Sequence, residues 1–290
     1  MASDGPGTGR RTAPDGTRAS ADDPAGRASG SAAALTSTPS PVPADLRPLA
    51  ERLFGDRLEL AERFTGLLMA HGVKRGLIGP REVDRLWERH VLNCALLVDA
   101  LPAQARTLAD VGSGAGLPGL VIAIARPDLC VTLIETMQRR VTWLEEASAA
   151  LGLQVEVVRA RAEELHGQRS FDVVTARAVA ALDKLARWTL PLVADHGHLL
   201  AMKGSSAGTE IEAAEKTLRR LGGLDPQVLL VGEGEVELPT TVVTVRRAER
   251  PEAPVAGVRR TGRDAQGKPA ARKNASRTTT SRGARHGRTR

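Results

Sequence analysis

Apolar residues along this chain keep two different rhythms. Between about residues 43 and 101 they recur every three or four positions, as in Leu53, Leu58, Leu60, Phe64, Leu67 and Leu68, and again in Leu86, Val91, Leu92, Leu96 and Leu97. That spacing places them on one face of amphipathic helices, with an interruption from 72 to 80. After Leu101-Pro102 the rhythm changes. Short β-rich runs at 107–111, 130–134, 154–158, 171–175 and 197–202 are interleaved with helical runs at 117–126, 138–151, 181–193 and 208–221. Two last strand candidates, 228–231 and 241–245, follow with no long helix between them. Alternating strand and helix predicts an α/β fold with a mostly parallel sheet covered on both faces, and the closing pair predicts an antiparallel edge strand. A small helical region at 45–103 precedes this sheet domain at 104–248.

Composition sharpens the ends of this picture. Residues 1–44 are rich in Ala, Gly, Ser, Thr, Pro and Asp and almost free of large apolar side chains. They cannot bury enough surface to offset chain entropy, so a disordered extension is expected. The formal net charge of +7 is uneven: residues 251–290 carry 11 Lys and Arg against Glu252 and Asp264, a net +9, while 45–250 sum to −2. The basic character therefore belongs to a second segment expected to be disordered, 249–290, and its composition is expected to add salt-dependent affinity for polyanions such as RNA. Arg outnumbers Lys 35 to 6, which weakens any argument from Arg clusters alone.

Cys94 and Cys130 have no CxxC partner, and the six His form no ligand pattern with Cys or carboxylates. A reduced, cytoplasmic chain without a metal site is expected. No run of 18 apolar residues is present and no basic segment leads into an apolar core, so neither membrane insertion nor secretion is expected.

Chemistry concentrates where the first strand, 107–111, meets Gly112-Ser113-Gly114-Ala115-Gly116-Leu117-Pro118-Gly119. Glycines at a strand-to-helix corner let a bulky ligand approach the backbone. Gly114, Gly116 and Gly119 satisfy GxGxxG, which leaves open an NAD-dependent oxidoreductase. Asp110, two residues before the first glycine, argues otherwise, because a carboxylate at the mouth repels a pyrophosphate and attracts a ligand bearing an ammonium and a sulfonium. S-adenosylmethionine is such a ligand; the alternative is that Asp110 only caps the turn. Rossmann-like class I S-adenosylmethionine-dependent methyltransferases also end their sheets in a reversed strand pair.

Ligands of open α/β sheets lie outside the carboxyl ends of the strands. Glu135 ends the second strand where an acid accepts hydrogen bonds from ribose hydroxyls, unless it caps the next helix. Ala162 and Glu163 follow the third strand and suit an adenine resting on the backbone, or the dipole of a helical first turn. Arg177 and Lys203 end the fourth and fifth strands, and two positive groups at one mouth suit an anionic substrate or the cofactor's carboxylate.

With these residues in place, the chain resembles the ribosomal RNA small subunit methyltransferase G family over roughly 50–246. The motifs at 110–119, Arg139-Arg140-Val141, Arg161-Ala162-Glu163-Glu164, Arg177-Ala178 and Leu200-Ala201-Met202-Lys203-Gly204 occur in the family's order. The resemblance implies methyl transfer from S-adenosylmethionine to N7 of a guanine in 16S ribosomal RNA, free or in the small ribosomal subunit. It implies cofactor contacts at Gly112, Leu117, Ala162, Glu163 and Arg177, and RNA or target-base contacts at His90, Arg139, Arg140, Arg161 and Lys203. No residue is implied as an acid or base. Alone, His90 also fits a packing or capping role. The family's usual Leu-Asp-Ser after the histidine is Leu92-Asn93-Cys94 here, and its Asn-Leu-Thr stretch is replaced at 72–79. A non-catalytic RNA-binding protein is the remaining alternative.

Overall fold

A computed structural model of the chain describes residues 35–249. The disorder expected for 1–34 and the RNA contacts expected of the tail from 250 onward lie outside the described residues. The helical region comprises α1 (Arg47–Phe54), α2 (Leu58–His71) and a run of 3-10 and π turns from Pro80 to Ala100 around the short α3 (Asn93–Ala95). Residues 35–44, which composition assigns to the disordered extension, form an ordered strap. Ser40 donates its amide to the Glu62 carbonyl, Trp87 donates its indole N–H to the Ser40 carbonyl, and Val42 is buried. Composition misses this because a strap needs only a few anchoring groups on a surface built by other segments.

Seven strands follow: β1 (Thr107–Val111), β2 (Cys130–Glu135), β3 (Val155–Arg159), β4 (Phe171–Arg177), β5 (Val193–Met202), β6 (Gly223–Val231) and β7 (Thr240–Arg247). They form one sheet in the order β3-β2-β1-β4-β5-β7-β6, parallel from β3 through β5, with β7 antiparallel to both β5 and β6. The expected α/β sheet with a reversed edge pair is therefore present, and the reversed strand is the inserted β7. The intervening helices are α4 (Gly119–Ala125), α5 (Gln138–Leu151), α6 (Leu182–Thr189) and α7 (Ala207–Arg220). The helix expected over 181–193 stops at Thr189, because Pro191 cannot supply an amide to continue it. β5 then begins at Val193, earlier than alternation indicates. Extra residues between the Phe171–Val193 and Val173–His198 pairs, with His196 at φ 64, break the period there.

Neighbouring residues on each strand point to opposite faces. Leu108, Leu133, Val173 and Leu200 join α1 to α5 in one core, and Ala109, Val111, Val174 and Ala201 join α6 and α7 in the other. The helical region thus shares the sheet's core and belongs to one compact unit with it. Of the cysteines, Cys94 is buried and Cys130 is exposed at the start of β2. Among the described residues no helix is long and apolar enough to cross a membrane, and no group of three His, Cys, Asp or Glu side chains is placed to hold a metal.

Candidate active site

The strand order reverses direction at β1 and β4, so their carboxyl ends open a crevice there. Gly112 leaves β1 at φ 75, a conformation that favours glycine, and a Cβ on it would lie 3.0 Å from the Val179 side chain. The Gly112 amide donates to the Ile134 carbonyl at 2.8 Å, and the Trp143 indole donates to the Ala115 carbonyl at 3.0 Å, tying the loop to β2 and α5.

Asp110 does not stand at the mouth. Its side chain is fully buried, and Oδ2 accepts the Gly119 amide at 2.9 Å, the first N–H of α4. Gly119 is required at that contact, since a Cβ there would lie 2.7 Å from the same oxygen and against Leu133. The expectation that Asp110 draws a cationic ligand to the entrance is corrected to bracing of the turn. Burial pushes its carboxyl up to about 7, against the lowering effect of the Gly119 amide hydrogen bond.

Around this loop lies a cavity of about 640 Å³. All six residues expected to hold a cofactor, Gly112, Leu117, Glu135, Ala162, Glu163 and Arg177, line it, although they come from four separate loops and strand ends. Glu135 is 3 % exposed; Oε2 accepts the Gly114 amide at 3.1 Å and Oε1 those of Thr136 and Met137 at 2.8 and 2.9 Å. Three of the five residues expected to meet RNA, His90, Arg140 and Arg161, also line this cavity. Arg140 approaches Glu135 at 3.7 Å. Arg139 is exposed at the start of α5 and does not line it.

Lys203 lies instead in an adjoining groove of about 1490 Å³. Its ammonium is already engaged, 2.6 Å from Glu210 and 2.7 Å from the Ala180 carbonyl, and its side chain is 9 % exposed. Glu210 also accepts the Leu182 amide, so the pair anchors the loop between β4 and α6. The two cavities share a wall made by Glu82, His90, Arg177, Ala178 and Val179. Ala178 adopts φ 55 there, a strained conformation for a residue with a Cβ.

Within the wall, Arg177 donates from Nη2 to His90 Nδ1 at 2.7 Å and to the Arg89 carbonyl at 3.0 Å, and from Nη1 to Cys94 Sγ at 3.0 Å. His90 Nε2 in turn meets Glu82 Oε2 at 2.7 Å. Burial and the neighbouring Arg177 charge hold the His90 pKa below its ordinary value, while its hydrogen bond lowers that of Glu82. Burial raises that of the Cys94 thiol.

Several lining residues escape sequence reasoning. Leu77, Ile78 and Gly79 wall the smaller cavity, yet in sequence they read only as the break in a helical pattern. Glu82 sits in the charged run 81–85, which resembles a solvated face; Val179 and Trp188 carry no motif. Only the fold brings them to β1.

The smaller cavity suits an adenosyl ligand with an amino-acid arm. A glycine-rich loop admits its bulk, Ile134 and Ala162 offer apolar and small walls, Glu135 supplies carboxylate acceptors, and Arg177 faces it with a guanidinium. A family model described as rRNA small subunit methyltransferase G matches residues 57–238. Proteins named ribosomal RNA small subunit methyltransferase G are similar to this chain. One from Pseudarthrobacter chlorophenolicus is 57 % identical over 203 residues, 70 % of this chain and 93 % of its own length. One from a Nocardioides species is 57 % identical over 218 residues, covering 74 % and 87 %. A third, from Salinispora tropica, is 52 % identical over 229 residues, covering 76 % and 93 %.

Proposed function

The chain belongs to the rRNA small subunit methyltransferase G family, and from that premise we propose that it transfers a methyl group from S-adenosylmethionine to N7 of a guanine in 16S ribosomal RNA, as a cytoplasmic enzyme. The observation that carries the reading is the pair of cavities sharing one wall. A displacement between two bound molecules needs a donor seat and an acceptor seat meeting at one point, with the reacting atoms in line.

When bound, S-adenosylmethionine supplies an electrophilic sulfonium methyl. Gly112 and Leu117 would give the loop surface for it, Glu135 would accept from its ribose hydroxyls, Ala162 and Glu163 would border its adenine, and Arg177 would hold its carboxylate. Exposed Arg139 and Arg161 take RNA phosphates on the outer rim, where they add affinity that weakens with salt. Arg140 steadies Glu135, Lys203 steadies the loop that carries Val179 and Ala180 into the acceptor groove, and His90 stands between the two seats. Guanine N7 presents its own lone pair, so no side chain has to remove a proton. The residues contribute positioning and tolerance of the positive charge that moves onto the base.

The test is twofold. Calorimetry with S-adenosylhomocysteine and with NAD should give binding of the first alone, and labelled methyl groups should enter one guanine of 16S ribosomal RNA or of small subunits at N7. Binding of NAD alone, or methylation at another atom, overturns the reading. Removal of residues 251–290, which carry net charge +9, should preserve methylation in low salt and reduce its salt dependence.

A further inference from the structure

We propose that Glu82 is a positioning residue for methyl transfer: by accepting a hydrogen bond from His90 Nε2 it holds His90 in the tautomer whose bare Nδ1 receives Arg177, and so fixes the guanidinium on the wall between the two cavities. This rests on the methyl-transfer reading above. The geometry is a chain of three groups from separate elements. Glu82 belongs to the 3-10 turn Pro80–Arg85, His90 to the π turn Leu86–Leu92, and Arg177 to the end of β4.

The direction of each hydrogen bond follows from the chemistry of the groups. A guanidinium has donors only, so at 2.7 Å from Arg177 Nη2 the His90 Nδ1 has to accept and carries no proton. The remaining ring proton then sits on Nε2, pointing at Glu82 Oε2 at 2.7 Å. An ionised carboxylate accepts only, and this contact therefore selects the Nε2–H form. In the other tautomer, or in the imidazolium, an N–H at Nδ1 would face the N–H of Arg177, and the guanidinium would be driven from its place. The depressed His90 pKa agrees with a neutral ring between these partners.

The rest of the guanidinium explains why its place matters. Both Nη2 hydrogens and one on Nη1 are committed to His90, the Arg89 carbonyl and Cys94. That leaves Nε and one Nη1 hydrogen for a ligand. Because Arg177 and Glu82 line both cavities, a shift of Arg177 alters the donor and acceptor seats together, and a misplacement of about 1 Å can cost about 100-fold in rate.

The experiment compares wild type, Glu82→Gln and Glu82→Ala in the full chain. Nitrogen NMR of the ligand-free wild-type protein should show His90 protonated at Nε2 and bare at Nδ1. Glu82→Ala should give a mixture of tautomers and a kcat on 16S ribosomal RNA lower by about 100-fold. Glu82→Gln, turning its amide oxygen to Nε2–H, should restore the single tautomer and most of the rate. Wild-type protein with a proton on Nδ1 would overturn the proposal, as would Glu82→Ala retaining wild-type kcat. If Glu82→Ala does not fold, the wild-type tautomer and Glu82→Gln still decide. A wild-type protein with the expected tautomer but no methyl transfer would instead count against the reading of function.

Discussion

Replacing Asp110 by Asn tests the reassignment of this residue from ligand attraction to turn bracing. The carboxyl is fully buried, one oxygen holds the Gly119 amide and the other, Oδ1, has no hydrogen-bond partner. Its pKa of about 7 in the fold, against an ordinary 3.8, corresponds to about 4 kcal/mol of bias against the charged form. The folded value lies above the unfolded one, so the folded protein binds the extra proton. The associated stability is fully present below pH 3.8, declines as pH rises and is lost above about 7. Between pH 5 and pH 8 the loss is about 3 kcal/mol. Asn keeps an acceptor for Gly119 and carries no charge, while its NH2 in place of Oδ1 costs about 1–3 kcal/mol at every pH. Urea unfolding of both proteins at pH 5 and pH 8 reads the difference. The stability of Asp110→Asn relative to wild type should move in the variant's favour by about 3 kcal/mol. A difference independent of pH would refute the reasoning, and a shift toward wild type would mean that the fold stabilises the ionised carboxylate.

Three further perturbations probe the site's frame. Glu135→Gln puts an amide NH2 against backbone donors now held by carboxylate oxygens; calorimetry should show S-adenosylhomocysteine affinity falling by about 10-fold or more, and an unchanged Kd would remove Glu135 from the site. Trp143→Phe deletes the indole bond to the Ala115 carbonyl and should cost about 1–3 kcal/mol in urea unfolding; a negligible loss would mean that α5 does not hold the glycine loop. Lys203→Ala, Glu210→Ala and the double variant should give a coupling energy of about 0.5–3 kcal/mol, while additive effects would release Lys203 from its bracing role.

The fold was legible because burial of parallel strands and their covering helices writes itself locally. The runs expected at 107–111 and 138–151 are β1 and α5 as they stand, since period and the αL glycine at Gly152 mark their limits. Departures occur where local pattern and chain path disagree, at Pro191, at the irregular start of β5 and in the strap 35–44, whose anchors lie on α2 and beside Trp87.

By itself the sequence determined the α/β sheet, its reversed closing pair and the strand-end positions from which Gly112, Glu135, Ala162, Glu163 and Arg177 project. In a parallel sheet the carboxyl ends all open on one side, so residues at successive strand ends converge without further information. Tertiary structure decided what the sequence left open: that Asp110 faces inward to Gly119, that Lys203 is spent on Glu210, and that Glu82 and His90 meet Arg177. Whether a charged side chain faces a ligand, a neighbour or water depends on groups distant in the chain. No local pattern encodes that choice.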